Sequence, residues 1–250
     1  MPRFFVRQER VSNGYISIIG EDAHHIARSL RMAAGEEITV CDMQGNEYNC
    51  KITSFDEDRE VTVEILSQKS SENEPKAFIT LYQALPKGDK LDTIIQKAVE
   101  CGASKIVPFQ SEHCVVKIKN DNENKKNERR QRISAEAAKQ CGRSVIPEVC
   151  NSISFKEDLS AAKDNDLILF CYEGDGTTSL GSILKNSFAN ENTAPKSIAI
   201  FVGSEGGFSI NEAELAKSCG AVMTGLGKRI LRTETASGFV LACLVCFLEL

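Results

Sequence analysis

The chain has 250 residues, 42% hydrophobic and 26% charged, with ten cysteines and a formal net charge of −5. This is enough apolar sequence to build one large domain or two modest ones. The cysteine fraction excludes a disulfide scaffold, and the overall charge gives an average surface that does not attract nucleic acid.

Cys171 in LILFC and Cys243 in LAC lie in apolar runs, where reduced, buried thiols of intracellular proteins sit. The start, MPRFFVRQER, lacks the long apolar stretch of a signal peptide. The longest apolar run, 239–248, is too short to span a bilayer. The chain therefore reads as cytoplasmic.

In chain order, residues 4–6, 15–19, 38–41, 48–53 and 61–66 alternate or are rich in β-branched and aromatic residues, which predicts short strands. A helix over about 21–32 interrupts them. So many strands in so few residues suggest a small barrel. The polar stretch SQKSSENEPK, 67–76, reads as a linker. Beyond it the pattern predicts strands over 77–84, 105–109, 167–171, 197–202 and 221–226, and helices over 89–101, 128–141, 209–219 and 233–250. Residues 119–128 read as a polar loop. Gly102 suits the end of the first of these helices, and Ser209 with Glu212 forms a capping box at the third. Alternating strands and helices imply an α/β fold with a mostly parallel sheet.

Three segments can carry chemistry. In FVGSEGGFSINE, 201–212, a buried strand runs into Gly203, Gly206 and Gly207 and then a capped helix. This is either a tight turn that needs glycine or a loop that lets a ligand approach backbone. In TGLGKRILRTETASG, 224–238, Gly225 and Gly227 precede Lys228, Arg229 and Arg232. The arginines suit phosphate or a polarised base; otherwise this is a surface loop with a helix cap. In 115–147, nine basic residues outnumber four acidic ones. The helix there offers Arg129, Arg130, Arg132, Lys139 and Arg143 either to an RNA groove or to solvent, with Ile133, Ala137 and Cys141 inward. Cys243 and Cys246 match C-x-x-C without a second ligand pair, which points to core packing rather than a metal. His24 and His25 lack the clustered partners of a metal site or a triad, and Glu249 should be exposed.

Taken together, RFFV (3–6), HHIARSLRM (24–32), TIIQKAVECGASKIVPFQSEHCVVK (93–117), EAAKQCGRSVIPEV (136–149), FVGSEGGFS (201–209) and GLGKRILRTETA (225–236) resemble the ribosomal RNA small subunit methyltransferase E family of the SPOUT superfamily. The resemblance runs over nearly the whole chain in order. It implies an N-terminal PUA-like β-barrel over 1–72 that binds RNA, and a C-terminal SPOUT α/β domain with a trefoil knot over 73–250. It implies a homodimer through the C-terminal domain that methylates N3 of a uridine in the decoding region of 16S ribosomal RNA in the small subunit. The implied methyl donor is S-adenosylmethionine, with no metal. Ser204 stands where the family usually has proline, and His113 where it often has arginine.

Carried onto this chain, the resemblance puts Gly203, Glu205, Gly206, Gly207, Leu226, Gly227, Ile230 and Leu231 at the cofactor. Arg232 would bind the target phosphate or stabilise charge on the uracil oxygens. Glu234 is the first candidate for removing the N3 proton and Glu205 the second. Arg3, Arg7, Arg28, Arg31, Lys117, Arg129, Arg132 and Arg143 would contact RNA. The alternatives are a ribose 2′-O or transfer RNA methyltransferase of the same superfamily, or a non-catalytic RNA-binding assembly factor. A nucleotide-dependent metabolic enzyme is disfavoured, because no phosphate-loop spacing is present.

Overall fold

A computed structural model describes residues 1–56, 59–118 and 123–250. The chain forms two compact units, Met1–Glu74 with Ala138–Ile146, and Pro75–Ala137 with Pro147–Leu250.

The first unit contains β1 (Arg3–Phe5), β2 (Val11–Ser12), β3 (Tyr15–Ile19), α1 (Glu21–His24), β4 (Glu37–Cys41), β5 (Asn46–Asp56) and β6 (Glu60–Ser70). Their hydrogen-bonded order is β1-β4-β5-β6-β3-β2. The β1–β4 pair is parallel and the others are antiparallel. Period-two alternation puts Ile16 and Ile18, Ile38 and Val40, and Val61 and Val63 into one core with Phe4 and Ile26.

Two expectations for this unit are corrected. The helix continues from α1 as a π-turn only to Ser29, because Arg31 takes a left-handed φ of 53° that no helix tolerates. The stretch expected as a linker is strand up to Ser70, with Ser67–Ser70 paired to Asn46–Asn49. Backbone ladder bonds hold it, so its solvent-facing side chains need no apolar alternation. Beyond it, the Glu74 carboxylate accepts from Arg143 Nε at 3.1 Å and from the Ser144 and Val145 amides at 2.8 and 3.1 Å.

The second unit contains β7 (Phe78–Ala84), α2 (Lys90–Glu100), β8 (Lys105–Gln110), α3 (Glu123–Cys141), β9 (Glu148–Val149), β10 (Ile153–Ser154), α4 (Phe155–Ala162), β11 (Leu167–Cys171), β12 (Thr178–Ser179), α5 (Leu180–Ser187), β13 (Ser197–Val202), α6 (Ile210–Ser218), β14 (Val222–Gly225) and α7 (Thr233–Glu249). The last residues of α3, from Ala138, belong to the first unit. The sheet order is β10-β8-β7-β13-β11-β14-β12, with β9 on β8, and every pairing is parallel. Strand β13 is inserted between β7 and β11, and its Ile198, Ala199, Ile200 and Phe201 are all fully buried. A strand covered on both faces is apolar throughout, and that is the SIAIFV pattern.

The helix expected from 128 begins at Glu123; residues 119–122 of the expected polar loop lie outside the described residues. Arg130 faces inward with Ser134 and Ala137, while Ile133 and Cys141 are only half-buried. The Arg130 guanidinium donates to Glu123 at 2.8 Å and to Ser152 Oγ at 3.2 Å, which meets the cost of burying it. In α7, Cys246 is exposed and Cys243 half-buried, so the expected core packing of both is corrected. The buried seam of that helix is Thr233, Ala236, Ser237, Val240, Leu241 and Leu244. Glu249 is exposed. No described helix is long and apolar enough to cross a membrane.

Candidate active site

Both glycine segments leave the carboxyl ends of parallel strands of one sheet, β13 and β14, with β11 between them, where open α/β sheets bind ligands. After β13 the chain turns between Ser204 and Gly207: the Gly207 amide donates to the Ser204 carbonyl at 3.0 Å, and Gly207 has a φ of 64°. A Cβ on Gly203 would lie 3.1 Å from Gly207 Cα, so a side chain at that position would press on the backbone of the turn. After β14, a Cβ on Gly225 would lie 2.9 Å from Thr177 Oγ1, and Gly227 has a φ of 115°. Helix α6 follows the first loop with the expected box: Glu212 N donates to Ser209 Oγ at 3.1 Å, and Ser209 N to Glu212 Oε2 at 2.9 Å.

The two loops and Cys171–Gly174 wall one cavity of about 660 Å³, a usual size for a small-molecule site. Gly203, Glu205, Gly206, Gly207, Leu226, Gly227, Ile230 and Leu231 all line it, and so does Arg232. Ile230 is 83% exposed, an apolar surface that a ligand would cover. Arg232 is exposed and has no hydrogen-bond or ion-pair partner for its guanidinium among the described residues. Glu234 lies just behind, half-buried, with its Oε2 buried and without a hydrogen bond.

A buried polar network locks the loops together. Gln83, fully buried at the end of β7, donates from Nε2 to Thr233 Oγ1 and to the Ala84 carbonyl, both at 2.9 Å. Thr233 Oγ1 donates in turn to the Gly203 carbonyl at 2.6 Å. Ser237 Oγ stands 2.5 Å from Gln83 Oε1 and 2.9 Å from the Thr233 carbonyl. The end of β7, the end of β13 and the start of α7 are thereby fixed on one another.

Lys90, at the start of α2, also lines the cavity. Its Nζ is 2.7 Å from Glu205 Oε1 and 3.7 Å from Glu234 Oε2. Burial acts to raise the Glu205 carboxyl. The Lys90 ammonium, with the Glu205 and Lys87 amides, outweighs it and holds the group below the usual carboxylate range. From the opposite side, His113 Nδ1 lies 2.8 Å from the Gly206 carbonyl and the Glu112 amide donates to Glu212 Oε1 at 3.0 Å. A Cβ on Gly206 would meet His113 Cβ at 2.9 Å. Residues 112–113 thus brace the first glycine loop and its helix.

Lys90 and Gln83 are absent from the sequence-predicted set. The signal for Lys90 was available: LPKGDK follows a buried strand, by the same strand-end logic that singled out the glycine loops. Of the arginines and lysine expected at RNA, Arg7, Arg28, Arg31, Lys117 and Arg132 are exposed. Arg129 is exposed but ion-paired with Asp92. Two do not present their charge. Arg143 is 4% exposed and held on Glu74. Arg3 is spent on Glu47 at 2.9 Å, Cys41 Sγ at 3.0 Å and the Arg143 carbonyl at 3.3 Å. A buried guanidinium must be paired, and these two pair within the first unit. A second, more open hollow of about 630 Å³ lies along α3, between Asn124, Gln131, Arg132 and Asn151, and none of the glycine-loop residues lines it. Among the described residues, no group of three His, Cys, Asp or Glu could hold a metal ion.

A parallel α/β sheet with a ligand cavity beyond its strand ends makes the second unit a small-molecule-binding α/β domain. Residues 72–245 match the RNA methyltransferase domain family, and residues 18–66 match the RNA methyltransferase PUA domain family. The ribosomal RNA small subunit methyltransferase E of Bacillus subtilis is 36% identical over 249 residues, 98% of this chain and 96% of that protein. Its counterpart in Synechocystis is 31% identical over 99% of this chain and 78% of that protein. The crystal structure of a ribosomal RNA small subunit methyltransferase E from Neisseria gonorrhoeae, bound to S-adenosylmethionine, superimposes with a TM-score of 0.83 at 30% identity. That match covers 99% of this chain and 98% of the other. The chain belongs to the ribosomal RNA small subunit methyltransferase E family, a family of S-adenosylmethionine-dependent RNA methyltransferases with a PUA-like N-terminal domain.

Proposed function

We propose that this protein methylates N3 of one uridine in the decoding region of 16S ribosomal RNA, acting on the small subunit in the cytoplasm. The observation that carries the reading is the convergence of both glycine loops on one cavity with the unpaired Arg232 at its edge. In this reading residues 73–250, apart from the 138–146 segment that belongs to the first compact unit, form the catalytic domain, with a trefoil knot, and residues 1–72 the RNA-binding domain. Arg7, Arg28 and Arg31 are the exposed cations that support the latter role. A homodimer is part of the same reading. It is supported by the apolar surface that α7 leaves uncovered at Phe239, Phe247 and Leu250.

The cavity suits S-adenosylmethionine. Glycines 203, 206, 207, 225 and 227 bring bare backbone to the cavity wall, where the amides and carbonyls not already bonded within the loops can meet an adenine and a zwitterionic tail, while Leu226, Ile230 and Leu231 supply apolar walls. The bound cofactor supplies an electrophilic methyl group on its sulfonium. Everything else falls to the protein. N3 lies on the Watson–Crick edge, so the uridine must be unpaired or flipped to reach the cavity. Arg232 holds the target phosphate or the uracil oxygens, where negative charge grows as the N3 proton leaves. Glu234 takes that proton in this reading, because its Oε2 has no hydrogen bond and only a 3.7 Å ion pair with Lys90, whereas both Glu205 oxygens accept from the Lys87 amide and Oε1 also from Lys90 at 2.7 Å. The loops locked by Thr233 and Gln83 keep these groups in place before the RNA arrives.

The test is incubation with S-adenosylmethionine and small subunits from a strain lacking the modification, followed by primer extension. An N3 methyl blocks pairing and stops the polymerase. One new stop at a decoding-region uridine is expected. A new mark on a ribose 2′-oxygen or on transfer RNA would replace this reading with the corresponding one, and no transfer to any RNA would leave an assembly factor.

A further inference from the structure

Lys90 is the first residue of α2, the 11-residue helix that follows β7, and it lines the cavity. By local rules a cation is misplaced there, because the first turn of a helix presents unpaired amides and the positive end of the helix dipole. The carboxylates that compensate it come from far along the chain, Glu205 after β13 and Glu234 in α7. A residue that breaks a local preference at the wall of a ligand cavity marks a functional position.

The geometry divides the Lys90 ammonium unequally. Nζ donates to Glu205 Oε1 at 2.7 Å and stands 3.7 Å from Glu234 Oε2, inside ion-pair range but beyond a hydrogen bond. Glu205 does not depend on this contact, because the Lys87 amide lies 3.2 and 3.3 Å from its two oxygens. Glu234 does: its Oε2 is buried and accepts no hydrogen bond, and Lys90 is its one ion-pair partner among the described residues. The hydrogen bond to Glu205 raises the Lys90 ammonium above its ordinary range, so it stays charged. The 3.7 Å gap pairs the charges without placing an N–H on the Glu234 carboxylate, so the lone pairs stay available for a proton. When Glu234 takes that proton the ion pair is lost, but Lys90 keeps its bond to Glu205, and no cation is left unpaired.

We propose that Lys90 is a positioning residue for methyl transfer, whose ammonium holds the Glu234 carboxylate ready for the N3 proton of the acceptor uridine. The inference rests on the reading of Glu234 as proton acceptor. The proton passes from N3 to Glu234, the electron pair left on N3 forms the bond to the methyl carbon, and the carbon–sulfur pair stays on sulfur.

The experiment uses the full chain with Lys90→Met, Lys90→Arg, Glu234→Gln and the double variant of Lys90→Met with Glu234→Gln. Single-turnover methyl transfer to small subunits lacking the modification is measured beside calorimetric S-adenosylmethionine Kd and thermal unfolding. Lys90→Met should be about ten- to a hundredfold slower, with Kd within about threefold of wild type. Lys90→Arg should recover the larger part of the rate, because it restores the charge. In the Glu234→Gln background, adding Lys90→Met should cost no more than about threefold further, since the lysine has nothing left to act through. Lys90→Gln repeats the measurement if the methionine variant melts several degrees low. A wild-type rate without the lysine would overturn the inference. So would a loss carried by Kd, which would make Lys90 a brace of the glycine loop, and losses that multiply in the double variant, which would make it act apart from Glu234. A wild-type rate in Glu234→Gln would overturn the reading of Glu234 as proton acceptor, and this inference with it.

Discussion

Thr233 Oγ1 donates to the Gly203 carbonyl at 2.6 Å, so the first residue of α7 closes on the last turn of β13. The two glycine segments are separated by most of α6 and the start of β14, and this bond with the Gln83 amide behind it keeps both at one cavity. Thr233→Val keeps the shape and removes the hydroxyl, leaving the Gly203 carbonyl and one Gln83 donor short of a partner in a buried site. We expect a loss of about 1–3 kcal/mol in chemical denaturation, together with weaker cofactor binding. Undiminished stability would mean that the network is not what holds the loops.

Arg232→Ala should abolish methyl transfer while leaving S-adenosylmethionine affinity within about twofold, because the exposed guanidinium is placed for the acceptor rather than the donor. Arg232→Lys should recover only part of the rate, since a point charge cannot reproduce a planar fork. Single-turnover kinetics beside calorimetry separate the two quantities. Normal turnover in the alanine variant removes Arg232 from the mechanism.

A carbonyl can only accept, so the 2.8 Å contact puts a proton on His113 Nδ1, which donates to Gly206. Asn can present an N–H near that point and Gln cannot. Cofactor Kd should therefore weaken about two- to tenfold in His113→Ala and His113→Gln and recover in His113→Asn. Three indistinguishable variants would show that the brace is packing alone.

Asp158 in α4 is fully buried, and neither carboxylate oxygen has a hydrogen-bond partner among the described residues. Burial, with the nearby Glu157 charge, pushes its carboxyl up from 3.8 to about 8. The folded state then keeps a proton that the unfolded chain releases. This group's contribution to stability is full below about 4 and declines as pH rises towards 8. Asp158→Asn removes that decline, so its advantage over wild type should widen between pH 4 and pH 8 in denaturant titrations. Parallel curves would acquit Asp158.

Phe239 and Cys246, seven residues apart, lie on one outward stripe of α7, and Leu250 just past its end is 98% exposed. Phe239→Asp should convert the proposed dimer to monomer in sedimentation velocity without altering the fold. A wild type that sediments as monomer at micromolar concentration would end the dimer reading.

What the sequence made legible, and what it did not, follows the range of the interactions. The cavity loops were readable because glycines at the ends of apolar strands are a local signal, and so was the capping box of Ser209 and Glu212. Helix α4 carried an equally local mark, Ser154 and Glu157 in SFKE, but is only eight residues long and has no extended apolar periodicity around it. The inward turn of Arg3 and Arg143 was not readable. Each finds its partners far along the chain, Arg3 on Glu47 and Arg143 on Glu74, and a basic residue carries no local sign of whether it will be paired. Gln83 was hidden in the same way, as one polar letter in a strand whose neighbours are apolar.

The first compact unit is built from two stretches, 1–74 and 138–146, and Glu74 is held by groups at 143, 144 and 145. During synthesis, the carboxylate that ends the first stretch emerges some seventy residues before the side chain and amides that satisfy it. The N-terminal strands can pair early, but their closing clasp must wait for more than half of the chain to be made. For the same reason a protease cut or a gene fusion just after residue 74 would not release a finished piece, and a functional transplant of this unit has to carry the later strap with it.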